Sequence, residues 1–126
     1  MRILSLISIT SIALALLNCS QPQEAHTPMI PEAVTYHDHI KTILDRCCVR
    51  CHGGQVTHGI NLSSYGQIME SVGNDPSEDL IVVGNPQSKI LRLRLNPETG
   101  NMYLYLNDPL EYDLIYQWIV SDGLQE

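Results

Sequence analysis

Phenylalanine is missing from all 126 residues and tryptophan occurs once, although 44% of the chain is hydrophobic. A core with so few large aromatic rings leaves room for an apolar cofactor. Basic residues are scarce as well: 7 Lys and Arg stand against 14 Asp and Glu, a net charge of −7. That balance excludes the basic footprint of a nucleic-acid-binding protein and fits solubility and steering toward a basic protein partner. Internal repeats are absent, and no catalytic acid, base and nucleophile fall into a recognisable constellation. The apolar run at residues 3–17 falls short of the about 20 residues that a membrane-spanning helix needs. The length suits one small domain.

What is present begins with an export signal. Arg2, the Ser/Thr-broken apolar run behind it and Asn18-Cys19-Ser20 read as a signal peptide over residues 1–18. Leu16-Leu17-Asn18-Cys19 resembles the lipobox of bacterial lipoproteins, with Asn18 in the place of the usual small residue, which makes Cys19 the expected lipidation site. Acyl burial of about 0.8 kcal/mol per CH₂ then holds the chain at a membrane surface, facing the periplasm or the cell exterior. Without the first 18 residues, which hold one Arg and no acid, the net charge is −8. Residues 19–35 contain Pro22, Pro28 and Pro31 and no apolar period, so they read as a flexible tether, and His26 falls within it. The folded domain is expected over 36–126.

Helical periodicity dominates that domain. Ile40, Ile43, Leu44 and Cys47 fall at i, i+3, i+4 and i+7, predicting a helix over 36–47 with one buried face. His37 and His39 at its start read as solvated or capping residues. Ser63 or Ser64 caps a short helix through Gln67, Ile68 and Val72. Residues 80–83 have strand propensity but no evident partner, so an extended loop edge is expected. Ser88 opens a helix over 89–95, stopped by Asn96-Pro97. The last helix has Asp108 at the N-cap, Pro109 at N1 and Glu111 at N3, an apolar face of Leu110, Leu114, Ile115, Trp118 and Ile119, and Gly123 at its end.

The first helix runs into Cys48-Val49-Arg50-Cys51-His52, the C-x-x-C-H pattern of covalent haem attachment. Two thiols three positions apart on a helical turn reach the two vinyl groups of one haem, and the adjacent imidazole then points at the iron. A dithiol redox site and half of a zinc site, with His58 nearby, are the alternatives. Cys47 lies on the apolar face of the preceding helix, where a buried, inert thiol is the ordinary reading. Met102 is the candidate sixth ligand. It lies 50 residues beyond His52, in a loop after Gly100 and before the closing helix, and a thioether favours the ferrous state. Met69 sits on an expected helix, Met29 sits in the tether, and His58 is too close to cross a haem without a tight loop. A core methionine filling a gap beside Leu104 and Leu106 is the other reading of Met102. Arg50, Arg92 and Arg94 are candidates to meet a haem propionate, against exposed helix charges as the commoner case. Tyr103 and Tyr105 either line the cofactor pocket or fill the core.

In order, the chain resembles class I monohaem cytochromes c, and more closely the short cytochrome c domain of planctomycete-type proteins. The residues carrying the resemblance are Cys48 to His52, Gly53-Gly54, Gly84-Asn85-Pro86 with Ser88 and Ile90-Leu91, Gly100-Asn101-Met102, and Trp118-Ile119 with Gly123. They extend over essentially the whole expected domain. Tyr103 stands where the family usually has Pro, and Cys47 is an extra thiol. The resemblance implies an all-α, single-domain cytochrome c fold whose first and last helices pack beside the haem. It also implies one covalent haem c bound through Cys48 and Cys51, iron ligated by His52 and Met102, and single-electron transfer to redox partners rather than enzymatic turnover. An open sixth iron position, as in a haem sensor or a peroxidase-like enzyme, is the alternative, favoured only by Tyr103.

Overall fold

The computed structural model of the protein describes residues 29–54 and 59–126. The expected signal peptide, Cys19, His26, most of the tether and His58 lie outside the described residues.

Packing begins ahead of Tyr36. The side chain of Val34 is fully buried, its N–H donates to Asp122 Oδ2 at 2.7 Å, and the Gln117 amide donates to the Pro31 carbonyl at 3.1 Å. Thr35 then caps the first helical segment, its hydroxyl accepting from the Asp38 N–H at 3.3 Å. Tyr36–Ile40 forms a π-helical turn that continues into α1, Lys41–Cys47. Ile40, Ile43 and Leu44 turn inward and are buried, as their spacing requires. Cys48 leaves helical geometry at φ −123° and starts the single turn α2, Val49–His52.

The all-α expectation fails in the middle of the chain. Ser64 caps α3, Tyr65–Met69, by accepting from the Gln67 N–H at 3.3 Å, but the helix stops short of Val72. Val72–Gly73 is instead strand β1, paired in parallel with β2, Ile81–Val82, in the register Val72 to Ile81 and Gly73 to Val82. Segment 80–83 therefore has the partner it was expected to lack, and the fold is a small mixed assembly of short helices around a two-stranded parallel pair. The connecting loop 74–80 folds back on β1, so that a Cβ on Gly73 would meet the Asp79 carboxylate and require that side chain to move.

Ser88 does more than open a helix. It is wholly buried, and its hydroxyl accepts from the Val82 N–H at 3.0 Å while lying within donating distance of the Val82 and Asn85 carbonyls, 2.9 and 2.7 Å away. It thus locks β2 to the following π-helical segment, Ile90–Arg94. A 3-10 turn, Tyr103–Tyr105, precedes the closing helix α4, Pro109–Val120. Asp108 caps α4 by accepting from the Leu110 N–H at 2.8 Å. Glu111 reaches back to the Asn107 N–H at 3.0 Å, one residue before the position a capping box would serve.

The core lies between the opening helical segment and α4. The Trp118 ring is 6.1 Å from that of Tyr36, which is in turn 5.5 Å from Tyr65. The chain end closes over this stack. The Gln125 carbonyl accepts from both the Trp118 indole N–H at 2.8 Å and the Tyr36 N–H at 2.9 Å, and the Tyr65 hydroxyl donates to the Leu124 carbonyl at 2.8 Å. Gly123 and Leu124 both adopt positive φ, 64° and 61°. For Leu124 this is a costly conformation, held by burial of its side chain and a 2.9 Å bond from its N–H to the Trp118 carbonyl.

Candidate functional site

The cysteine cluster sits where two helices meet. The Cys48 N–H closes α1 on the Leu44 carbonyl at 2.8 Å, and the N–H groups of Cys51 and His52 return to the Cys48 carbonyl at 3.0 and 2.9 Å. One turn of backbone therefore carries both thiols and the imidazole. Behind it the chain doubles back, with the Leu62 N–H donating to the His52 carbonyl at 2.7 Å. Gly53 makes the turn possible, since a Cβ there would sit 2.6 Å from the Val49 carbonyl oxygen.

Cys48, Cys51 and His52 line a cavity of about 570 Å³ whose other walls include Ile40, Leu44, Ile115 and Trp118. Met102 lines the same cavity. It is brought there by a turn in which Asn96 Oδ1 accepts from the Glu98 and Thr99 N–H groups at 2.9 and 3.0 Å. Gly100 then passes so close that a Cβ would come within 2.5 Å of the Arg94 carbonyl oxygen, and the Met102 N–H donates to that carbonyl at 2.8 Å. Four residues chosen on chemistry, from two segments 50 positions apart, thus face one space. Of the two leucines beside which Met102 could fill a gap, Leu104 is 85% exposed, whereas Leu106 and Met102 are both partly buried against the core, so Met102 packs on the core as well as lining the cavity.

Cys47, Cys48 and Cys51 are free thiols. Burial, aided by the neighbouring Cys47, Glu111 and Cys51, pushes the Cys48 thiol up to about 12. A dithiol redox site works through a thiol of lowered pKa, so Cys48 has the wrong environment for that chemistry. Among the described residues no three His, Cys, Asp or Glu side chains converge as a metal-ion site. Cys47 is half-buried, with its sulfur 3.9 Å from Glu111 Oε2, and Glu111 is also ion-paired with Arg46.

The donor set and the space suit a covalently held haem. Two thiols on one helical turn match two vinyl groups, an imidazole and a thioether are both haem-iron ligands, and the volume falls within the roughly 300–1,000 Å³ of cofactor pockets.

The other candidates divide. Arg94 and Tyr105 line the cavity, whereas Arg50 and Arg92 are exposed away from it. Tyr103 packs edge-on against Tyr112, ring centres 6.0 Å apart. His37 is exposed and 3.5 Å from the Glu126 carboxylate; His39 Nδ1 accepts from the Thr35 N–H at 3.2 Å. Two charged residues of the cavity rim, Glu78 and Lys89, escaped the sequence reading. Lys89 shares the cavity with Arg94 because the segment between them is π-helical, its Leu95 N–H bonding the Ile90 carbonyl at 2.8 Å. Such i to i+5 winding brings positions five apart to one side, a spacing that an α-helical period does not reveal.

Among the described residues no helix is long and apolar enough to cross a membrane. Comparison with protein-family models, with curated proteins and with solved structures finds no match to this chain.

Proposed function

We propose that the protein is a monohaem c-type cytochrome that carries single electrons at a membrane surface. Cys48 and Cys51 hold the haem covalently, His52 and Met102 ligate its iron, and Cys19 bears the lipid that anchors the exported chain. The observation that carries this reading is the convergence of Cys48, Cys51, His52 and Met102 on one cavity.

When bound, the haem supplies a one-electron ferric/ferrous couple. The chain's part is to keep the same two ligands in both states, so that little reorganises as the charge changes. The backbone bonds that fix His52 and Met102 serve this end. Ile40, Leu44, Ile115 and Trp118 keep water from the iron, and burial with a thioether ligand raises the potential relative to two imidazoles. The acidic surface favours a basic redox partner. The protein acts as a carrier, with substrate chemistry left to its partners.

The test is expression with export in a host that attaches c-type haem. Haem should remain with the protein through acid-acetone extraction, and the reduced protein should show sharp α and β bands. Cys48→Ala and Cys51→Ala should weaken or abolish retention, and Cys47→Ala should keep it. A protein matured in that host without a Soret band, or haem loss confined to the Cys47 variant, refutes the assignment.

A further inference from the structure

Cations are few enough in this chain for each to be followed. Of the six Lys and Arg among the described residues, Lys41 pairs with Asp45 and Arg46 with Glu111, and Arg50 and Arg92 are exposed off the cavity. The remaining two, Lys89 and Arg94, line the cavity, and neither is ion-paired with an acidic side chain among the described residues. The Lys89 ammonium is held at the rim by the backbone carbonyl of Glu78, at 2.6 Å, and it also helps hold the Asp75 carboxyl below its usual range, behind the hydrogen bonds from Ser77.

An apolar cavity with two cations at its rim is built for a ligand that is largely apolar but negatively charged along one edge. Carboxylates brought against apolar walls are costly unless paired, and a guanidinium meets a carboxylate through two parallel bonds. Arg94 is also tied through its own carbonyl to the Met102 N–H, so the backbone positions that carry the cation and the candidate iron ligand hold a fixed relation.

Resting on the haem reading above, we propose that Lys89 and Arg94 seat the two propionate carboxylates of the haem, so that the π-helical segment, Ile90–Arg94, and its flanking lysine fix which edge of the cofactor faces the rim. Glu78, on the same rim, opposes them in sign and offsets part of the positive charge they bring to that edge. The potential of the iron is then set partly by this triad: losing a cation leaves a carboxylate uncompensated and favours the ferric state, and losing Glu78 does the reverse.

The experiment compares the haem-loaded wild type with Lys89→Gln, Arg94→Gln, Arg94→Lys, Glu78→Gln and, as a control on the same segment, Arg92→Gln. Covalent haem content, midpoint potential at fixed pH and low salt, and the carboxylate bands of the redox-difference infrared spectrum are recorded for each. Lys89→Gln and Arg94→Gln should keep their haem, shift the equilibrium toward ferric by about three- to tenfold each, tenfold being 59 mV for one electron, and move the propionate bands. Arg94→Lys should recover most of the potential, Glu78→Gln should shift it toward ferrous, and Arg92→Gln should leave potential and bands unchanged. Equal shifts in Arg92→Gln, or unmoved potential and bands in both Lys89→Gln and Arg94→Gln with haem in place, overturn the assignment of the propionate seat. A wild type without covalent haem overturns the function on which it rests.

Discussion

Replacing Trp118 by alanine tests the packing that walls the cavity. The side chain is 2% exposed, the one indole of the chain, stacked near Tyr36 and bonded to the Gln125 carbonyl. Truncating a large aromatic in a core costs about 3–5 kcal/mol. The broken hydrogen bond adds little, because the Gln125 carbonyl still accepts from the Tyr36 N–H and is not left unpaired. A domain of this size has about 5–15 kcal/mol of stability in all, so the variant should fold but lose a large part of its margin. At roughly 4–8 °C per kcal/mol, its melting temperature should fall by about 12–40 °C. Urea titration at equal haem content, followed by far-ultraviolet circular dichroism because the variant has no tryptophan to report, measures the loss. Trp118→Phe, which keeps most of the packing and leaves a smaller cavity, should lose clearly less than Trp118→Ala. A Trp118→Ala loss below about 1 kcal/mol with an unchanged denaturant slope would refute the placement of the indole in the core.

Three further outcomes are expected. Met102→Ala should abolish the weak sulfur-to-iron charge-transfer band of the ferric protein and turn the iron high-spin; a wild type lacking that band, or a variant keeping it, moves the sixth ligand elsewhere. Ser88→Ala strips the buried Val82 N–H of its partner and should cost about 1–3 kcal/mol, seen as lost hydrogen-exchange protection at the Val82 amide. Gly53→Ala pushes a methyl group against the Val49 carbonyl; it should cost about 1–3 kcal/mol and perturb the ligand bands of the haem by shifting His52, whereas Gly54→Ala, with open space around its Cα, should do neither.

The parts of this protein that were legible in its sequence are those whose physical signal is local. Ile40, Ile43 and Leu44 announce a buried face by their spacing, Asp108-Pro109 announces a helix start, and both signals survive into the structure because nothing distant competes with them. The hydrogen bond that makes Ser64 a cap is also local, but the length of the helix it starts is not. Val72 continues the apolar rhythm of α3, yet it leaves the helix because pairing with Ile81 buries the segment against β2. A strand of two residues is too short to show alternation, and its partner lies across the loop 74–80, so nothing local in the sequence pointed away from an all-α chain. Lys89 was missed because five-residue winding is an outcome of packing, with Ser88 anchoring one end of the segment to β2 and Met102 binding the other. Val34 reads as tether in the sequence because nothing beside it is apolar in period; the groups that hold this segment, Asp122 on Val34 and Gln117 on Pro31, lie just beyond and on the last helix. The candidate site divides along the same line. Spacing alone singles out Cys48, Cys51 and His52, because the chemistry that links them occupies one helical turn, and it gives Met102 only as one thioether among several. What sets Met102 apart is the pair of restraints on its loop, the Arg94 carbonyl and the close passage of Gly100, which bring a residue 50 positions away into the lining of the same cavity.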